Sequence, residues 1–151
     1  ETGAASVGWA RGVYPTRATA QAALDDGALF VLTDDGVLTA AGRIDRTQVP
    51  VYAQVPWQYA APPEQVLVLH TLVVDPAAAG HGYGTQFVRF YTERARALGC
   101  TVLRIDTNAK NTAARRLYAR LGFREAAIVP CTFNGIAGVA LACLEKRLDA
   151  E

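Results

Sequence analysis

The chain has 151 residues, of which 51% are hydrophobic, and it carries 15 basic against 14 acidic side chains. We expect a single domain over residues 1–151 with a proper core, and the balanced charge gives no reason to expect nucleic acid or a membrane as partner. Because no run of about 18 apolar residues could span a bilayer and the first residues do not resemble a signal peptide, we expect a cytoplasmic protein.

The first predicted elements are a helix and a hairpin. Thr16 can cap a helix that continues to residue 24 and is ended by Gly27. The apolar residues 29–32 predict a strand, the sequence Asp-Asp-Gly at 34–36 predicts a turn, and Val37–Asp45 is expected to return as the partner strand.

A long connection, a buried strand and a helix follow. Residues 48–65 contain four prolines and predict an irregular segment. The apolar run Val66–Val74 predicts a central strand. Residues 83–98 predict a helix that ends at Gly99. Its predicted inner face consists of Gly84, Phe87, Tyr91, Ala95 and Leu98, and Arg89 and Arg96 lie elsewhere on the helix.

The remaining elements complete an α/β chain. Residues 101–106 predict a strand that is parallel to the central one across the helical crossover. Residues 111–121 predict a second helix, stopped by Gly122, whose inner face holds Ala114, Leu117, Tyr118 and Leu121. Two last strands flank Asn134-Gly135, a strong hairpin signal.

The three cysteines, Cys100, Cys131 and Cys143, are widely spaced in mostly apolar surroundings. An odd number of scattered cysteines argues against a disulfide framework or a zinc site. We therefore expect buried, reduced thiols and no metal site.

The most informative segment is the glycine-rich turn Ala79-Gly80-His81-Gly82-Tyr83-Gly84-Thr85 between the central strand and its helix. Glycines allow a tight turn and close approach of a ligand, and the first N–H groups of a helix favour an anion such as pyrophosphate. The turn lacks the lysine of a P-loop and the spacing of a dinucleotide fingerprint. A helix start that binds nothing, or another nucleotide-binding module, is the alternative.

A second motif gives this turn a context. Leu72, Val74 and Pro76 precede the glycines, and Asn111, Ala114, Tyr118, Gly122 and Phe123 follow them. The two motifs together resemble the GNAT superfamily of acyl-CoA-dependent N-acetyltransferases, from about Trp9 to the C-terminus. The resemblance implies a three-layer α/β (α+β) fold with a mixed, mostly antiparallel central sheet flanked by helices.

The N-terminal part departs from that family pattern. The family begins with one more strand and helix, and the residues before Thr16 do not predict them. We therefore expect the first strand and helix to be missing or truncated, or the exposed sheet edge to be covered by a displaced segment or by a second chain, as in a homodimer.

The resemblance implies acetyl-CoA as cofactor. Backbone groups of the central strand would bind the pantetheine arm and face the thioester oxygen, and the glycine-rich turn would bind the pyrophosphate. Since the family begins this turn with Gln or Arg, Ala79 predicts weaker cofactor binding. The cofactor-binding residues implied are Leu72, Val73, Val74, Ala79, Gly80, His81, Gly82, Tyr83, Gly84, Thr85, Asn111, Ala114 and Tyr118.

Two catalytic residues are expected on the same grounds. Tyr118 would be the general acid that protonates the departing thiolate, although without the motif it would be interpreted as a core aromatic. His70 stands where many family members carry a Glu, and it is either the general base or a partly buried strand histidine. Asp106 could assist it or could cap the loop after its strand.

The acceptor is less well defined. Tyr52, Trp57, Tyr59 and Phe133 could form an aromatic substrate-binding pocket or could be packing residues. We expect transfer of acetyl from acetyl-CoA to a primary amine, in a small molecule or peptide, by direct attack in a ternary complex. The alternative is a non-catalytic acyl-CoA-binding sensor or subunit with the same fold.

Overall fold

The computed structural model of the protein describes residues 5–8, 28–34, 37–75, 82–133 and 136–148. The chain divides into two units, residues 1–45 with 69–94 and residues 46–68 with 95–151. The single domain predicted over residues 1–151 stays a prediction.

The first unit contains a sheet with the strand order β1-β2-β3-β4. Its strands are β1 (Ala5–Gly8), β2 (Leu29–Asp34), β3 (Val37–Asp45) and the end of β4 (Val66–Val74). Strand β2 pairs antiparallel with both β1 and β3. The hairpin and the central strand predicted from the apolar pattern are therefore confirmed.

The first strand, which we expected to be missing or truncated, is present as the short strand β1, so the prediction that it is missing is wrong. β1 pairs with β2 from Ala5 opposite Asp34 to Gly8 opposite Val31, so a strand of this chain occupies that edge of β2. A run of only four residues, ASVG, carries too little periodicity to predict a strand. The helix predicted over residues 16–24 and the turn at 35–36 lie outside the described residues, and a homodimer stays a prediction.

Helix α1 (Tyr83–Ala97) begins and ends close to the predicted positions. Phe87, Tyr91 and Ala95 are fully buried, as the periodicity predicts. Leu98 was expected on the same face but is 40% exposed, because the helix ends before it and Gly99, with φ 78°, redirects the chain. Across the described residues, no helix has the length and apolar character to cross a membrane.

An aromatic cluster packs the core of the first unit. The ring of Phe90 lies 5.4 Å from that of Phe30 and 6.2 Å from that of Phe87. Strand β3 approaches this cluster closely at Gly42, where a Cβ would lie 3.0 Å from the ring of Phe87. Only glycine therefore fits at this position without displacing the Phe87 ring.

The second unit contains the strand order β4-β5-β7-β6. β5 (Val102–Asn108) and β6 (Arg124–Phe133) both pair antiparallel with β7 (Ile136–Arg147). Helix α2 (Thr112–Arg120) is capped by Asn111, whose side-chain oxygen accepts from the Ala114 N–H at 3.0 Å. These elements match the α/β prediction, with shifts of one or two residues at the ends.

The proline-rich connection, residues 46–65, packs on this second sheet. It contains two short 3-10 helices, Pro50–Gln54 and Pro63–Gln65. Its buried residues Tyr52 and Val55 join a core cluster with residues of the strands, namely Val66, Val68, Val102, Val129, Leu141 and Cys143. Cys100 and Cys143 are buried free thiols, as predicted, whereas the side chain of Cys131 lies outside the described part.

A buried carboxylate anchors the connection to the sheet. Glu145 on β7 is completely inaccessible and accepts hydrogen bonds from the N–H groups of Gln58 at 2.9 Å and Tyr59 at 3.0 Å. The strand register places Arg104 of β5 and Arg124 of β6 directly opposite Glu145. The Arg124 guanidinium donates to the carboxylate, which therefore lies between two cations.

Arg104 makes the second set of contacts with the connection. Its guanidinium donates to the Gln48 side chain at 2.6 Å and to the Tyr59 carbonyl at 3.1 Å, and it stacks 4.3 Å from the centre of the Trp57 ring. Burial lowers the pKa of Arg104, and the Glu145 charge opposes this shift. The ion cluster thus compensates a charge that would otherwise be costly to bury.

We expect Glu145→Gln to destabilise the protein strongly. The amide can satisfy only part of the backbone and arginine donors, and it leaves Arg104 and Arg124 without the negative charge between them. Removing one member of a buried ionic cluster typically lowers the free energy of unfolding by about 3–5 kcal/mol. Urea unfolding followed by circular dichroism measures the change.

Glu125→Gln is the matched control. Glu125 lies on β6 and pairs with Arg115 at the surface, at 2.7 and 2.8 Å. Because exposed pairs contribute about 0–1 kcal/mol, this variant should remain near wild type. Equal losses in both variants would contradict the anchoring role of Glu145.

Candidate active site

The backbone of β4 is strained just before the predicted cofactor-binding residues. Thr71 has φ 54°, a left-handed conformation that no other described non-glycine residue adopts. Residues 66–69 of the strand are buried, whereas Leu72, Val73 and Val74 are only half-buried. A β-branched residue adopts this conformation at a cost of about 1–3 kcal/mol, and such strain concentrates at functional sites. Sequence reasoning missed it, because threonine gives no signal for left-handed backbone.

The described part of the glycine-rich turn is open. Gly82 has φ 76°, and a Cβ built there would meet no atom of the residues that the structure describes within 4 Å. The carbonyl of Gly82 accepts a hydrogen bond from the Gln86 N–H at 3.0 Å, and helix α1 begins with this turn. The first turn of the helix contains no acidic residue. Gly84 and Thr85 lie in the same turn, while Pro76, Ala79, Gly80 and His81 lie outside the described residues.

Tyr83, the first residue of α1, is already committed to a partner. Its hydroxyl donates to a carboxylate oxygen of Asp34 at 2.5 Å. This hydrogen bond, together with desolvation and the charge of Asp34, raises the pKa of Tyr83. The contact connects the start of α1 to the end of β2, so an anion at this turn would be bound by backbone N–H groups rather than by the Tyr83 hydroxyl.

His70 lies in a chain of polar contacts on β3 and β4. Its Nε2 is 2.8 Å from Oδ1 of Asp45, and the second carboxylate oxygen accepts from Arg43 Nε at 2.6 Å. The His70 side chain is 15% exposed. Sequence analysis identified His70 but missed Asp45 and Arg43, because the contact joins residues 25 positions apart in the chain.

Tyr118 lies on α2 and is 3% exposed, with its ring 6.0 Å from that of Phe123. Burial raises the pKa of Tyr118 well above its usual range, and the charge of Asp106 adds to the shift. The hydroxyl makes no hydrogen bond within the part of the chain that the structure describes. The hydroxyl thus keeps its proton at neutral pH, and it does not donate this proton to any described residue.

Asp106 lies inside β5, which continues to Asn108, rather than at the end of a strand. Its carboxylate accepts from the Tyr52 hydroxyl at 2.7 Å. The aspartate therefore contacts the proline-rich connection, which the prediction of a loop cap did not anticipate.

Two aromatic residues of the connection, Tyr52 and Trp57, line a cavity in the second unit. Trp57 Nε1 donates to the Tyr52 carbonyl at 3.0 Å, and the two rings lie 5.2 Å apart. Tyr59 lies 5.8 Å from the Arg147 guanidinium, and the side chain of Phe133 lies outside the described part. The cavity has a volume of about 350 Å³ and is lined by Gln48, Val49, Pro50, Tyr52, Ala53, Val55, Trp57 and Arg104.

The candidate residues are distributed over both units. The first unit contains His70, Leu72–Val74 and residues 82–85 of the glycine-rich turn. The second contains Tyr118, the α2 cap Asn111, and the aromatic residues of the connection. The assignment of these residues to catalysis, cofactor binding and substrate binding stays a prediction.

Comparison with known sequences identifies one family. The sequence matches the acetyltransferase (GNAT) family over residues 4–123. It is also 32% identical over 65 residues to an uncharacterized N-acetyltransferase of Methanocaldococcus jannaschii, an alignment that covers 43% of this chain. The chain spans only 29% of the length of that curated relative.

Solved structures with the same fold come from several bacteria. The ribosomal-protein-S18-alanine N-acetyltransferase of Escherichia coli is 16% identical with a TM-score of 0.72, and the match covers 98% of this chain and 96% of that one. A protein of Salmonella typhimurium, solved with its cofactor acetyl-CoA, is 22% identical with a TM-score of 0.65 and coverages of 89% and 73%. At these identities, the likeness establishes the fold.

Proposed function

The chain belongs to the acetyltransferase (GNAT) family, and from that premise we propose that it transfers an acetyl group from acetyl-CoA to a primary amine. The observation that carries the proposal is the turn at Gly82, with φ 76° and no atom of the described residues within 4 Å of a Cβ position. It precedes the N-terminus of a helix whose first turn holds no acidic residue. These features suit the pyrophosphate of coenzyme A, because exposed N–H groups and the helix dipole both favour an anion.

The strained end of β4 supports the same cofactor. Leu72, Val73 and Val74 follow the left-handed Thr71 and are half-buried, so they are candidates to bind the pantetheine arm through their backbone. Acetyl-CoA supplies the acetyl group as an activated thioester. What this chain must add is a bound amine, a place for the amine proton and a proton for the sulfur.

His70 and Tyr118 are the residues proposed for the two proton movements. The His70 imidazole takes a proton from the substrate ammonium, directly or through a water, and the free amine then attacks the thioester carbonyl. As the C–S bond breaks, the Tyr118 hydroxyl donates its proton to the sulfur. The phenolate then regains a proton through solvent from the acetylated nitrogen, which after the attack carries one proton more than the neutral amide. His70 releases the proton that it accepted to solvent, so that the reaction as a whole releases one proton.

Burial and the charge of Asp106 raise the pKa of Tyr118. The phenol therefore remains protonated through the neutral range. In the proposed step, it hydrogen-bonds to the developing thiolate and transfers its proton as the C–S bond breaks.

The acceptor is proposed to bind near the aromatic residues of the connection, Tyr52, Trp57 and Tyr59, with Phe133 from the last hairpin. Tyr52 and Trp57 line the cavity of about 350 Å³, a size suited to a small molecule or to the end of a peptide. A primary amine with an apolar substituent fits this lining.

A panel of amines tests the function directly. We expect the purified protein to release free coenzyme A from acetyl-CoA with at least one primary amine, measured with a thiol reagent. The amine-free reaction supplies the background hydrolysis rate. Binding of acetyl-CoA without thiol release for any amine would indicate a sensor, and tighter binding of ATP or NAD than of acetyl-CoA would indicate a nucleotide-binding module.

Gly82→Val should abolish acetyl-CoA binding measured by calorimetry. The branched side chain would occupy the open space at the turn, and it would also strain the backbone at φ 76°. Gly99→Val is the matched control at the other end of α1, since Gly99 has φ 78° and equally open surroundings. Both variants should lose similar stability, about 1–3 kcal/mol. Equal acetyl-CoA affinity in the two variants would contradict the proposal that the glycine-rich turn binds the pyrophosphate.

Tyr118→Phe should lower kcat by about 10²–10⁴-fold and change acceptor KM and acetyl-CoA affinity little. The ring still packs against Phe123, so little apolar burial is lost, and only the hydroxyl proton is removed. If Tyr118 is only a packing residue of the core, Tyr118→Phe should instead preserve kcat and reduce the melting temperature. Both quantities are measured on the same preparation.

A further inference from the structure

Asp45 and His70, the proposed base, form a close pair of side chains. They lie on the neighbouring strands β3 and β4, with Nε2 of His70 2.8 Å from Oδ1 of Asp45. Arg43 Nε lies 2.6 Å from the other oxygen of the same carboxylate. The side chains of His70 and Asp45 are only 15% and 18% exposed, so both are held in a largely desolvated site.

The contact determines which ring nitrogen carries the proton. An ionised carboxylate can only accept hydrogen bonds, so the ring nitrogen that faces Asp45 must be the donor. A neutral imidazole carries a single ring proton, and this proton therefore resides on Nε2. The lone pair is then on Nδ1, the ring atom that does not face the carboxylate.

We propose that Asp45 is a positioning residue that makes Nδ1 of His70 the basic atom of the active site. This inference rests on the proposed function, in which His70 accepts the proton of the substrate ammonium. In that step, an N–H bond of the ammonium breaks and an Nδ1–H bond forms. The imidazolium that results lies beside the Asp45 carboxylate, which stabilises its charge through the Nε2–H hydrogen bond.

Arg43 fixes the orientation of the carboxylate. The Arg43 guanidinium holds the second oxygen of Asp45, so the carboxylate is oriented from both sides. Among the described residues, Asp45 and Arg43 are the charged groups found in this chain of contacts at His70.

The competing interpretation is an ion pair that only braces β3 against β4. Such a brace would affect stability, but it would give the ring no particular tautomer that catalysis needs. A spectroscopic reading of the ring nitrogens combined with kinetics therefore separates the two roles.

The first measurement uses ¹⁵N-labelled protein. The chain contains two histidines, so the signals of His70 are assigned by their loss in His70→Ala. At a pH where the ring is neutral, long-range ¹H–¹⁵N correlation should show a protonated Nε2 and an unprotonated Nδ1. Asp45→Ala should shift the ring to a mixture of tautomers. Asp45→Asn has a single acceptor oxygen, and Arg43 Nε, which can only donate, favours that oxygen. The amide NH2 group then faces Nε2, so this variant should move the ring proton to Nδ1.

The second measurement is kcat in the thiol-release assay. We expect Asp45→Ala to lower kcat at least roughly tenfold with acetyl-CoA affinity unchanged, and Asp45→Asn to lower kcat at least as far, since Nδ1 then carries the proton. Glu64→Gln, which removes an exposed carboxylate from the proline-rich connection, is the control and should match wild type.

Each contrary outcome has its own meaning. A wild-type ring protonated on Nδ1, or an Asp45→Ala variant with unchanged tautomer or kcat, overturns the positioning role while leaving acetyl transfer intact. Wild-type protein that releases no coenzyme A with any amine overturns the proposed function itself, and with it any catalytic role for Asp45.

Discussion

The buried carboxylate of Glu145 is the constraint on which the second unit depends. Antiparallel pairing places Arg104 and Arg124 on either side of it, and the N–H groups of Gln58 and Tyr59 complete its coordination. A fully desolvated charge is tolerated only with such a complete set of partners. The proline-rich connection, which has little regular structure, is therefore fixed to the sheet at a defined position.

The same anchor shapes the proposed acceptor region. Arg104, placed opposite Glu145, stacks on Trp57 and lines the cavity. Tyr52, which packs against Trp57, donates to Asp106, whose charge contributes to the raised pKa of Tyr118. The aromatic lining and Asp106 thus belong to one connected set of contacts, and the charge of Asp106 links this set to the proposed acid. We therefore expect a substitution at the ion cluster to affect the proposed acceptor region as well.

The first unit contains conformations that are costly in isolation. Thr71 is strained, Gly82 needs a positive φ, and His70 with Asp45 is a largely buried polar pair. Aromatic packing of Phe87 and Phe90 against the sheet supplies compensating apolar burial. Proteins accept local strain where the backbone must present groups to a ligand, and this unit also holds the residues assigned to the cofactor.

The sequence by itself determined the features that are encoded within a few residues. Apolar periodicity located Val37–Asp45, Val66–Val74 and α1. The Asn111 cap and Gly99 located helix ends, and the spaced motifs indicated the family. Only the tertiary structure decided that residues 5–8 form strand β1, that Leu98 is exposed and that Thr71 has a positive φ. It also decided which groups contact His70, Arg104 and Glu145. The physical reason is that local hydrogen bonds and backbone preferences act between near neighbours, whereas a contact such as Asp45 with His70, or Tyr59 with Glu145, exists only after strand register has brought distant segments together.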